Sequence, residues 1–135
     1  MNYWIIKSEP GTYSWNNLEA DGSTSWEGVR NYAARNNLRD MKIGDICCFY
    51  HSNVGKEIVG LAKVIKEHYQ DPTTTDPAWL TIEIAPYKKL KKPVKLEEMK
   101  SETFLENIDL IRIGRLSVSK IKKEEFDFIL EMSER

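Results

Sequence analysis

At 135 residues, with 41% hydrophobic and 30% charged side chains, the chain carries enough apolar material for one packed domain without disulfide or metal staples. Its formal net charge is −1, and its first 67 residues hold eight basic and eight acidic side chains, so any electrostatic grip on nucleic acid must come from a local patch. No stretch approaches the ~20 apolar residues of a membrane span, and the start MNYWIIKSEP lacks the basic head and apolar run of a signal peptide.

YWIIK at 3–7 reads as a first strand, stopped by Ser8-Glu9-Pro10-Gly11. Ser14 caps a short helix to Ala20, and Asp21 to Ser25 is a loop. A helix is expected from Asn31 to Met41. Ala34, Leu38 and Met41 form its apolar stripe, Asn31 begins that stripe, and Gly44 is placed as a C-cap. A β-rich middle follows: Ile46–Ser52, a turn at 53–56, Ile58–Lys66, a polar loop from Gln70 to Pro77, and the alternating strand Trp79–Ala85. Gly60 marks a bulge or a close approach within the second of these strands. Pro93–Lys100 reads as a short helix, 110–113 and 116–118 as extended pieces around Gly114, and Lys123–Met132 as a closing helix. Strands with helices inserted at their ends predict an α+β chain built on a small mixed barrel, in a single domain over residues 1–135.

Several chemistries find no support. Cys47 and Cys48 are neighbours on a strand, so a bond between them would be strained, and a reducing, intracellular compartment fits. Cys47 and His51 share a face but stand roughly 13 Å apart along an ideal strand, too far for a nucleophile–base pair. The two histidines and two cysteines match no zinc spacing, and no glycine-rich phosphate loop is present, so neither metal nor cofactor is expected. The cluster Lys88, Lys89, Lys91, Lys92 and Lys95 reads as a solvated strand end and turn.

Flat rings at Trp4, Trp26, Tyr32, Tyr50 and Trp79 accompany polar groups at Lys7, Ser8, Arg30, Asn31, Ser52, Arg115 and Ser117, near breaks in the pattern. This mixture suits a pocket for an extruded base, which needs rings to stack on and donors for the base edge. It suits equally a set of core rings and surface polars: Trp4 and Trp79, in alternating strands, read as core, Trp26, after a polar loop, reads as pocket, and for Asn31 the alternative to a base contact is a helix-start amide bonded to backbone.

Taken in order, W-x-x-K-S-E-P from Trp4, W-E-G-V-R-N-Y-A-A-R-N from Trp26, F-Y-H-S from Phe49 and R-L-S-V from Arg115 resemble the EVE domain of the PUA-like superfamily, over residues 3 to 130. The resemblance implies a PUA-like mixed β pseudo-barrel with flanking helices. It also implies a non-catalytic reader of a modified nucleobase, such as a methylated or oxidised cytosine, in DNA or RNA. It assigns the pocket to Lys7, Ser8, Trp26, Val29, Arg30, Asn31, Tyr50, Ser52, Leu116 and Ser117, with Trp26 as a wall, Arg30 as a phosphate or base-edge donor and Asn31 on the base edge. The segment Gln70–Pro77 is shorter than its counterpart in many members. An enzyme acting on a modified nucleotide through Lys7, Glu9 or His51, and a small-molecule binding protein, are the alternatives. A cytoplasmic location is expected, with nucleoid or nucleus as variants.

Overall fold

The computed structural model describes residues Met1 to Arg135. Six strands, β1 (Tyr3–Ser8), β2 (Thr24–Ser25), β3 (Ile46–His51), β4 (Glu57–Gln70), β5 (Leu80–Lys95) and β6 (Val118–Ile121), form one sheet in the order β2-β5-β4-β3-β1-β6. β1 runs parallel to β3, and every other neighbouring pair is antiparallel. Five helices flank it: α1 (Trp15–Asp21), α2 (Tyr32–Asp40), α3 (Leu96–Lys100), α4 (Asp109–Arg112) and α5 (Lys123–Glu134). None is long and apolar enough to cross a membrane.

The sheet separates two apolar layers, because successive strand residues point to opposite faces. Trp4 and Ile6 of β1 and Cys47 and Phe49 of β3 join one core, which α1 covers with Trp15 and Leu18 and α2 with Ala34 and Leu38, Met41 following as its C-cap. Ile5, Cys48 and Tyr50 join the other, with Met99 of α3 and Phe126, Ile129 and Met132 of α5. Leu38 and Met41 are fully buried, each contributing about 1.5–3 kcal/mol. The expected stripe of α2 is therefore the face that packs. Trp4 is a core ring whose indole N–H donates to the buried Asp45 at 3.0 Å; Asp45 also accepts from the amides of Asn2 and Lys42.

Four local expectations are corrected. Residues 93–95 extend β5, and the helix starts only at Leu96. Residues 109–112 are helical, with Leu110 turned into the second core. α2 ends at Asp40, so Gly44 (φ 94°) makes the turn into β3 and caps no helix. Thr24 and Ser25, read as loop, pair with Ile84 and Glu83 at the edge of β5.

Candidate functional site

A cleft of about 680 Å3 opens where the end of β1 meets residues 24–30 and Ser117. Its apolar wall is Trp26 and Val29, respectively 9% and 7% exposed. Trp26 is fixed twice: its amide donates to Ile82 of β5 at 2.9 Å, and its ring stands edge-on to Phe49, centroids 5.7 Å apart. Lys7, Ser8 and Ser117 supply the polar rim. Lys7 donates its amide to the Ser117 carbonyl and its ammonium to the Gly114 carbonyl at 2.7 Å, and burial lowers its pKa. The Ser8 hydroxyl donates to the Tyr13 carbonyl at 2.5 Å, so its lone pairs remain as acceptors.

The residues that sequence assigns to one pocket divide between two. Lys7, Ser8, Trp26, Val29, Arg30 and Ser117 line the first cleft. Tyr50 and Ser52 line an adjoining groove of about 480 Å3, which shares Lys7, Glu9 and Ser117 with the first. Strand alternation explains the split: Ser8 lies on the face of Trp4 and Ile6, whereas Lys7 and Tyr50 lie on the opposite face. Leu116 is 6% exposed and packs in the first core. Asn31 lines neither cleft; it is the N-cap of α2, its side-chain oxygen accepting from the Ala34 amide at 3.0 Å.

Arg30 is held from the side. Its guanidinium donates to the buried Asp71 carboxylate at 3.0 Å, to the Thr73 hydroxyl at 3.0 Å and to the Val29 carbonyl. Asp71 also accepts from the amides of Gly28 and Thr73, both at 2.8 Å, and from the Thr73 hydroxyl. Burial pushes its pKa up, and these hydrogen bonds outweigh burial and hold the carboxyl well below its usual range. Arg30 thus clamps the Trp26–Asn31 segment to the 71–73 turn. Asp71-Pro72-Thr73 carries the signal of an Asx turn, but nothing in sequence names its partner 41 residues away. Trp79 is half-buried and not a core ring: it lies tilted by 32° against the exposed Tyr32, centroids 4.8 Å apart, with Arg30 5.7 Å from its centroid.

His51 accepts the Trp15 amide through Nε2 at 3.1 Å, and burial lowers its pKa against the opposing charge of Glu57. Burial pushes the Cys48 thiol up to about 12 and that of Cys47 well above its ordinary value. His51 thus ties the start of α1 to β3, and the two thiols pack in the cores on either side of the sheet. No three His, Cys, Asp or Glu side chains converge as metal ligands.

The EVE domain model matches residues 2–132. The chain belongs to the EVE domain family. Mouse thymocyte nuclear protein 1 is 36% identical over 98% of this EVE chain and 74% of its own length. That alignment runs to 167 positions against 135 residues here, so the relative carries insertions. The crystal structure of a protein from Agrobacterium tumefaciens superposes with a TM-score of 0.97 at 40% identity, covering 98% of this chain and 93% of that one. The human THYN1 protein, solved in complex with 5-methylcytosine-containing DNA, gives a TM-score of 0.92 at 34% identity, covering 100% and 99%. The fold is the mixed α+β fold of the EVE family.

Proposed function

We propose that this EVE domain is a non-catalytic module that reads a modified base in nucleic acid, with DNA carrying a modified cytosine as its first ligand. The carrying observation is the cleft itself: a fixed indole wall at Trp26 beside a rim of Lys7, Ser8 and Ser117, in a chain similar over its length to a protein solved with 5-methylcytosine-containing DNA. An extruded base stacks against Trp26 and Val29, and the rim hydrogen-bonds its edge. Stacking contributes about 1–3 kcal/mol per base, and extrusion costs a few kcal/mol, least for a damaged or unpaired base. Tyr50 and Ser52 bound the adjoining groove, Leu116 supports Ser117 from the core, and Asn31 fixes the helix that follows the wall. The unpaired, buried cysteines suit an intracellular, reducing site of action.

The test is binding to matched short DNA and RNA strands, with and without 5-methylcytosine, its oxidised forms and N6-methyladenine, at two salt concentrations. One modified strand binds more tightly than its unmodified match, and the ratio persists at higher salt. Trp26→Phe keeps an aromatic contact on Phe49 but shortens the wall, so it lowers that ratio several-fold. An undiminished ratio in the folded variant means that the base does not touch Trp26. The oligonucleotide mass stays unchanged on prolonged incubation; time-dependent conversion means an enzyme.

A further inference from the structure

Arg30, which the family resemblance marks as a phosphate or base-edge donor, and several other surface cations are committed elsewhere. Arg30 is engaged by Asp71 and Thr73, and Arg35 donates to the Ala78 carbonyl and the Asn36 side chain. Lys91 and Lys92 face Glu134 and Glu98. A different set has no carboxylate partner, although the Lys7 ammonium donates to the Gly114 carbonyl. The groove beside the base cleft is lined by Lys7, Lys56, Lys100 and Arg115. It continues through Lys56, Leu96 and Lys100 into a further hollow of about 390 Å3 that adds Lys95. None of these five cations takes part in any of the ten ion pairs of the molecule. Only Glu9 and Glu97 bring negative charge to the same walls. A chain of net charge −1 therefore concentrates unpaired positive charge along one furrow, continuous with the cleft through Lys7 and Ser117.

The backbone sets this furrow. The turn between β3 and β4 places Lys56 at φ 50°, a left-handed conformation rarely adopted by residues with a β-carbon. Its carbonyl accepts the Leu96 amide at 2.9 Å, so the turn and the start of α3 are joined and Lys56 and Lys100 flank one channel.

We propose that this furrow binds the phosphodiester backbone flanking the base held in the cleft, with Lys56, Lys100 and Arg115 as its phosphate contacts. The inference rests on the base-reading proposal for its direction, since the furrow leads out of the cleft. Neutralised phosphates release counterions, so each contact adds about 0.7–0.9 to the slope of log K against log salt.

The experiment measures that slope for the full chain on modified and unmodified oligonucleotides. Two triple variants are compared: Lys56→Gln, Lys100→Gln, Arg115→Gln in the furrow, and Lys63→Gln, Lys88→Gln, Lys89→Gln on exposed β-strand positions away from it. Each removes three positive charges, taking the net charge from −1 to −4. The furrow variant loses about two to three units of slope and weakens both strands alike, leaving their ratio unchanged. The control variant keeps the wild-type slope. Equal losses in both triples mean that net charge alone acts, and an unchanged slope in the furrow triple removes the phosphate contacts; either result overturns the proposal, as does an absence of salt-dependent binding. A wild-type chain with no preference for any modified strand, but with the furrow-specific slope loss, overturns the base-reading proposal and upholds this one.

Discussion

At the scale of single residues, Asp71 organises the wall of the cleft. A buried carboxylate without partners is costly; here it accepts from Gly28, Arg30 and Thr73 and so fixes two loops against each other. Asp71→Ala leaves those donors without their acceptor and destabilises by about 2–3 kcal/mol, read as a lower urea midpoint with an unchanged m value. The pH dependence has a definite sign. The folded-state pKa is depressed below the ordinary 3.8, so its contribution is complete above that value and is lost as pH falls below it. Urea unfolding from pH 7 to pH 3 shows a steeper acid loss in wild type than in Asp71→Asn; parallel curves would remove Asp71 from the acid response. None of this was legible in the sequence beyond a turn signal. The W-E-G-V-R-N segment stands out as residues, but the direction of Arg30 depends on a carboxylate 41 positions away. Likewise, Asn31 is visibly a capping residue type, yet only the fold shows that its oxygen is spent on Ala34.

At the scale of elements, the apolar pattern is informative wherever a strand or helix buries a continuous set of side chains, and it fails where the chain breaks its own pattern. The α2 stripe, the β3 run and the α5 face are all in the sequence because each buries a continuous set of side chains. The long strand β5 was hidden by Pro86 and Pro93. Both sit at register irregularities: Pro86 pairs Ala62 beside one shift, and Pro93 falls where residues 89–94 of β5 span only 60–58 of β4, so neither disrupts a regular ladder. The run at 110–113 has an apolar spacing too short to distinguish strand from helix. Gly60 meets both expectations, the irregularity and the close approach, for a local reason. It lies at a shift of the β4–β5 register, and a β-carbon there would stand 2.6 Å from three atoms of the Trp15 ring. That ring is 2% exposed and edge-on to Phe49 at 5.5 Å, so it has no room to retreat. Gly60→Ala therefore costs about 1–3 kcal/mol as overpacking, with a lower urea midpoint and altered near-ultraviolet circular dichroism from Trp15. A variant with wild-type values of both would mean that α1 shifts freely on the sheet.

At the scale of the whole molecule, one sheet is shared by two cores, and the cleft and the furrow open at its end, one on each face. The base wall rests on the first core through Trp26 and Phe49, and the furrow rests on the second through Tyr50 and Leu110. Coupling between them therefore requires that the two layers open together. Adjacent cysteines on β3 report on this directly, because Cys47 lies in one core and Cys48 in the other. Both are fully buried with raised pKa values, so the native thiols do not react and labelling requires opening. In Cys48→Ala the remaining thiol reports the first core, and in Cys47→Ala the second. Each labels with the free energy and urea dependence of that variant's global unfolding. The shared strand gives the reason: exposing either thiol means peeling β3 from β1 and β4, which removes the floor of both layers at once. A weaker urea dependence for one thiol would mean that its layer opens alone, and the cleft and furrow would then move independently of each other.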